Sequence, residues 1–267
     1  MTHFNILGLQ YNPLKENKLD NFSLIEARIK ENQHLSPHLI VLPELFNTGI
    51  LAKETIPKYA EPLVGYSFNK LATLAKQYNT YIAAGSIIEK DISETYKNTM
   101  MFISPKGECI AKYRKTHMFS YFGHYEKDIF SAGTEAVVVE TEFAKIGLSI
   151  CYDLRFPELY RTYRHQNVDL IIVVAAWPHP RAEHWITLNK ARAIENQAYV
   201  VCVNQVGHCL HDIVNCGQSM IIDPWGSVLA NAYEEETSIF ASIDMHKVKE
   251  TREIFPVYSD LNKKAYK

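Results

Sequence analysis

The chain has 267 residues, of which 47% are hydrophobic and 22% charged, and its formal net charge is −2 at pH 7. That is the composition of an ordinary globular protein with a large core, and it excludes a disordered chain. The near-neutral balance offers neither nucleic acid nor an anionic membrane surface an electrostatic footprint, and no apolar run approaches the roughly 20 residues of a membrane span.

Five cysteines, an odd number without disulfide-like spacing, fit a reducing compartment. The N-terminal segment lacks a basic stretch followed by an apolar one, so no signal peptide is expected and the cytoplasm is. No repeat, low-complexity tract or Pro/Gly/Ser-rich linker divides the sequence, which predicts a single domain over 1–267.

In chain order, Asn5–Tyr11 is apolar and strand-like. Leu19, Phe22, Ile25 and Ile29 recur at helical spacing. Leu39–Leu42 is wholly apolar, as a strand buried on both faces should be, and it ends at Pro43-Glu44. Leu71, Leu74 and Ala75 mark a second helix, and Tyr81–Ser86 a third strand. Thr99–Ile103 and Cys109–Tyr113 flank Ser104-Pro105-Lys106-Gly107-Glu108, a hairpin signal because Pro and Gly supply turn geometry. Val137–Val139 and Ile146–Ile150 predict another strand pair. A helix over 154–166 then leads to strand Leu170–Ala175, and a helix over 183–197 to strand Ala198–Val203. Ser219–Ile222, Ile239–Ile243 and a short helix near Lys247–Ile254 close the pattern. Strand–helix alternation at both ends with hairpins between argues for mixed sheets covered by helices.

Three segments place chemistry at strand ends. Ile146–Ile150 delivers Cys151 where a helix is expected to begin, and a helix dipole there would favour the thiolate. Cys151 is either an activated nucleophile or a small buried hydrophobe. Glu44, after Leu39–Leu42, is either a general base or a loop carboxylate. Lys115, in Lys112-Tyr113-Arg114-Lys115-Thr116-His117, is either a fixed charge for an oxyanion or part of a solvated basic run.

Taken together, Leu42-Pro43-Glu44, Tyr113-Arg114-Lys115-Thr116-His117 and Cys151-Tyr152-Asp153-Leu154-Arg155-Phe156-Pro157-Glu158 resemble the Glu–Lys–Cys triad motifs of the nitrilase superfamily, in its order. Gly85-Ser86, Asn98-Thr99, the Ala191–Gln197 segment and Asp223-Pro224-Trp225-Gly226 extend the resemblance over nearly the whole chain. It implies a four-layer α-β-β-α sandwich with two mixed sheets, paired into at least a homodimer. It also implies amide hydrolysis through a thioester without a cofactor: Cys151 as nucleophile, Glu44 as base, Lys115 with the Tyr152 N–H at the oxyanion, and Glu126 as an assisting carboxylate.

Cys-Tyr-Asp resembles the amidase branches, and Ala176–Arg181 with His184-Trp185 looks like the omega-amidases. Such substrates, 2-oxoglutaramate or 2-oxosuccinamate, bring a carboxylate, and Arg155 is the candidate receptor, with an ion pair to Glu158 as its structural alternative. Trp177, Tyr152 and Phe119 are candidate pocket walls with ordinary core as the alternative for each, and for Phe119 the core reading is preferred. An N-carbamoyl amino acid hydrolase is the rival activity, and a non-catalytic scaffold the rival class.

Cys202, Cys209 and Cys216 with His208 and His211 lack the paired spacing of a zinc site. His179 and His184 raise a Cys–His hydrolase, but no matching signature surrounds Cys151. No phosphate-binding glycine motif is present.

Overall fold

The computed structural model describes residues 3–122, 125–210 and 213–266. Its first half runs β1 (His3–Gln10), α1 (Lys18–Glu31), β2 (Leu39–Val41), α2 (Ile56–Tyr59), α3 (Tyr66–Tyr78), β3 (Tyr81–Ala83), β4 (Ile87–Lys90), β5 (Tyr96–Ile103), β6 (Cys109–Arg114) and α4 (Glu126–Ile129). There follow β7 (Val138–Glu140), β8 (Lys145–Ile150), α5 (Pro157–His165), β9 (Leu170–Ala175), α6 (Ala182–Asn196) and β10 (Tyr199–Asn204). The remainder is β11 (Val206–His208), β12 (Val214–Cys216), β13 (Met220–Ile222), β14 (Val228–Asn231), β15 (Thr237–Asp244) and α7 (His246–Ile254).

Among the described residues the strands form a seven-stranded and a six-stranded mixed sheet, plus the β11–β12 ribbon. The first sheet has order β15-β1-β2-β3-β5-β4, with β6 also on β5; the second has order β14-β13-β10-β9-β8-β7. In each, a parallel trio (β1-β2-β3, β8-β9-β10) is flanked by antiparallel strands.

Side chains alternate between the two faces of a strand, and the core follows that period. Phe4, Ile6, Leu39, Val41, Met100 and Phe102 of the first sheet join Ile146, Leu148, Ile150 and the β9 and β10 residues in one apolar cluster between the sheets. Their alternates Leu7, Leu9, Ile40, Leu42, Met101 and Ile103 pack with Phe22, Ile25 and Ile29 of α1 and Leu71, Leu74 and Ala75 of α3. On the far side of the second sheet lie α5 and α6, through Leu159, Tyr160, Tyr163, Trp185 and Ala193. Helix, sheet, sheet and helix thus stack in four layers, the sandwich the motifs imply.

Several expected elements differ. Tyr81–Ser86 is not one strand: it breaks after Ala83, because Gly85 turns at φ +42° against the Pro43 carbonyl, and Ile87–Lys90 resumes as β4. The helix expected over 154–166 is two pieces. A 3-10 turn spans Cys151–Arg155, Phe156 is extended, and α5 starts at Pro157. Proline disfavours helical backbone in the residue before it and is itself at home in a first helical position. β4, β11, β12 and β14, short and without clean alternation, have no counterpart in the sequence reading.

Candidate active site

Glu44 follows β2, Lys115 follows β6 and Cys151 follows β8, so the two sheets bring them together from opposite sides. Lys115 is fully buried, and its Nζ lies 3.0 Å from Glu44 Oε1 and 2.8 Å from Glu126 Oε1. Glu44 is held at both carboxylate oxygens and at its carbonyl: Asn98 Nδ2 donates to Oε1 at 2.8 Å, the Ala176 N–H donates to Oε2 at 2.9 Å, and Gln205 Nε2 donates to its backbone carbonyl at 2.7 Å. The Ala176 and Gln205 donors come from the second sheet's side. Glu126 Oε2 accepts from the Phe119 N–H at 2.7 Å, which fixes it against Lys115.

The backbone is strained at two of these points. Leu45, next to Glu44, has φ +48°, and Cys151 itself has φ +50°. Left-handed backbone at a side-chain-bearing residue costs on the order of 1–3 kcal/mol and persists only where surrounding contacts impose it. Ser86 Oγ accepts from the Leu45 N–H at 2.9 Å on one side. On the other, buried Asp153 gathers donors from the segments that bear Lys115 and Cys151: Tyr113 Oη at 2.8 Å, Thr116 Oγ1 at 2.9 Å, the His117 N–H at 2.9 Å and the Ile150 N–H at 3.0 Å. Asp153 therefore clamps the Lys115 loop to the Cys151 turn. The Lys115 carbonyl accepts from the Gly133 N–H at 2.8 Å, and a Cβ on Gly133 would sit 2.1 Å from the Arg114 carbonyl oxygen.

The electrostatics correct one expectation. Helix α5 begins six residues after Cys151, so the sulfur stands at the head of a short 3-10 turn and not of the long helix expected there. Burial pushes the Cys151 thiol well above its usual range; the charge of Glu44 and its hydrogen bond to the thiol push the same way, and Lys115 opposes them. The resting state is a thiol beside a base, not a thiolate. Burial would lower Lys115, but Glu126 and Glu44 more than offset it and hold the ammonium well above its usual range. Burial raises the Glu126 carboxyl, and the charge of Glu44 adds to this against the pull of Lys115.

The cluster opens into a cavity of about 890 Å³ that contains Glu44, Glu126 and Cys151 together with Tyr152, Arg155 and Trp177. All the expected site residues except Lys115, which lies beneath Glu44 and Glu126, line it. Arg155 makes no ion pair with Glu158, since the extended Phe156 takes the two off a common helix face. Its guanidinium lies 4.7 Å from the Trp177 ring centroid, and Nη2 is 3.2 Å from His184 Nδ1. Phe119, expected in the core, is half-buried and lines the cavity, edge-on to Tyr152 at 5.1 Å. Sequence reasoning missed Arg181, which also lines it, and gave no role to Asn98 or Asp153, whose partners are far off in the chain. His179 faces Glu234 at 3.4 Å, away from these groups.

Among the described residues no His/Cys/Asp/Glu group is arranged to hold a metal ion. Cys202 donates to the Met220 carbonyl and Cys216 accepts from Asn204 Nδ2; His211 of the weighed zinc set lies outside the described residues. A thiol on the same cavity as a carboxylate that is ion-paired to a buried ammonium supplies the parts that acyl transfer through a covalent intermediate requires.

Residues 8–253 match the carbon-nitrogen hydrolase family model. The chain belongs to the carbon-nitrogen hydrolase family. It is 33% identical over 272 residues to an omega-amidase of Homo sapiens, spanning 100% of this chain and 98% of that one. It is 38% identical over 238 residues to a 2-oxoglutaramate amidase of Bacillus subtilis, 89% of each. A solved branch 10 member of the nitrilase superfamily from Saccharomyces cerevisiae superposes with a TM-score of 0.86 at 28% identity, over 96% of this chain and 95% of that one. Among the described residues no helix is long and apolar enough to cross a membrane.

Proposed function

We propose that this hydrolase is a cysteine-dependent omega-amidase. It converts a small carboxylate-bearing amide, such as 2-oxoglutaramate or 2-oxosuccinamate, to the acid and ammonia. The observation that carries this reading is the buried Lys115 ammonium bonded at once to Glu44 and Glu126, beside a cavity that Glu44, Glu126 and Cys151 line together. The kinship with amidases named for such substrates supports it.

Glu44 takes the thiol proton as Sγ attacks the amide carbon, so the costly thiolate exists only as the C–S bond forms. The oxyanion gains Lys115 Nζ and the Tyr152 N–H, which belongs to the opening of a 3-10 turn and has no partner within it. Glu44 returns the proton to the leaving nitrogen, the C–N bond breaks, and ammonia departs from a thioester. Glu44 next draws a proton from water, which attacks the thioester; the acid leaves and the thiol is restored. Glu126 keeps Lys115 charged and aimed throughout. Tyr152 and Trp177 wall the acyl chain, and Arg155 supplies positive charge for the carboxylate.

We read the chain as at least a homodimer in the cytoplasm. Half-exposed Trp225 stacks on half-exposed Phe255 at 6.2 Å, beside exposed Ile194, which is an apolar face suited to a second copy. The free cysteines suit a reducing compartment.

The deciding experiment is ammonia release from 2-oxoglutaramate and succinamate by the native protein and by Cys151→Ala. Release from the native protein and none from a stably folded Cys151→Ala is expected. Release that survives the substitution overturns the mechanism; no release by the native protein overturns the substrate class.

A further inference from the structure

We infer that Arg181, with Arg155 beside it, is the carboxylate receptor that selects the substrate, a role the sequence reading gave to Arg155 alone. The inference rests on the amidase reading above and deepens it.

Both guanidiniums line the catalytic cavity. Arg181 is half-buried, with its guanidinium 5.4 Å from the Phe119 ring centroid and 5.2 Å from that of Phe122. Among the described residues neither arginine has a carboxylate within ion-pair distance, although Lys115, the other buried cation of the site, has two. Burial and the neighbouring charge of Arg155 both act against the Arg181 cation. An arginine does not escape such a cost by losing its proton, so two adjacent uncompensated guanidiniums store repulsion that an anion relieves. The third cation on the lining, Lys53, is exposed at the rim next to Glu54 and stores nothing comparable.

Position separates the two arginines. Arg155 is turned toward the exposed His184 and stacked on Trp177, whereas the Arg181 guanidinium stands over the Phe119 and Phe122 rings with no hydrogen-bond partner among the described residues. In the cavity that both share with Cys151, Arg181 is therefore the guanidinium left open to the carboxylate of an acyl chain bonded to Sγ. Trp177 Nε1 donates to the Arg181 carbonyl at 2.8 Å, which ties the arginine's backbone to the wall that Arg155 covers. The chemical class follows: amides whose acyl part ends in a free carboxylate a few carbons from the carbonyl. Uncharged aliphatic amides of equal length lack the group the pair is set to bind.

The test compares succinamate with butyramide for the native protein, Arg181→Ala, Arg181→Lys and Arg155→Ala, and measures succinate binding to Cys151→Ala with and without Arg181→Ala. Loss of a charge-assisted fork is expected to raise KM for succinamate by about 10- to 100-fold in Arg181→Ala. Butyramide turnover should stay within about 3-fold. Arg181→Lys should fall between, Arg155→Ala should cost less, and succinate binding should weaken by a similar factor. An equal fall on both amides, or an Arg155→Ala loss larger than that of Arg181→Ala, overturns the inference while leaving the amidase standing. Should Arg181→Ala not fold, native-like succinamate KM in Arg181→Lys overturns it. A native protein that turns over neither amide fails the parent reading instead, and succinate binding then judges the receptor by itself.

Discussion

At the residue scale the surroundings of Cys151, the proposed nucleophile, favour its protonated form. Burial and Glu44 raise the Cys151 thiol against the pull of Lys115, so the thiolate fraction near pH 7 lies below the few per cent of a free cysteine with a pKa of about 8.5. A small neutral thiolate reagent such as methyl methanethiosulfonate should then inactivate the resting enzyme slowly at pH 7. The rate should still be climbing above pH 9, because a raised thiol pKa moves the thiolate to higher pH. A rate that levels off at or below pH 8 would mean a preformed ion pair and contradict the arrangement. In the proposed mechanism turnover does not share this profile, since Glu44 would remove the proton only when substrate is in place.

At the element scale, strand ends and tight turns position the reacting groups. The β3–β4 break presses against the loop that bears Glu44, with Gly85 at φ +42° and no room for a Cβ, which would fall 1.9 Å from the Pro43 carbonyl oxygen. Gly85→Ala must shift the Glu44 loop or the break itself. We expect kcat to fall more than about 10-fold, as small misplacements of reacting groups do, together with a lower Tm. Unchanged kcat would show that the loop is placed by other contacts. This break also marks the limit of what the sequence discloses. Long apolar runs such as Leu170–Ala175 and the hairpin around Pro105-Gly107 were legible because period and turn chemistry are local. The motifs pointed to Glu44, Lys115 and Cys151, which the fold does bring together. Arg181 was not legible, because a lone arginine after Pro180 resembles any surface residue until the fold turns it into the cavity. Nor was Asp153 as a clamp, since its donors lie at residues 113–117 and 150. The strand β14, largely exposed, lacks the alternation that marks a half-buried strand.

At the scale of the whole molecule, Glu44 and Lys115 follow strands of one sheet and Cys151 a strand of the other, so the proposed chemistry depends on how the sheets register. Leu148, fully buried between them on β8, sits three residues before the nucleophile. Leu148→Ala should cost about 2–5 kcal/mol in stability. It should also lower kcat at 25 °C in protein whose circular dichroism is still native, because the relaxing core lets the thiol drift from Glu44. Full activity in such a variant would mean that Asp153 and its neighbours fix the site without the core.

The pairing of β1 with β15 has another consequence. His3–Gln10 lies between β2 and Thr237–Asp244, so one side of an early strand is satisfied by the last strand of its sheet. During synthesis that side of β1 has only water to bond until residues 237–244 have left the ribosome. Contacts so distant along the chain form slowly, and an open strand edge invites pairing with other chains. The nascent polypeptide thus spends most of its elongation as a sheet awaiting its border, and chaperone dependence and yield in the cell should track how soon that border arrives.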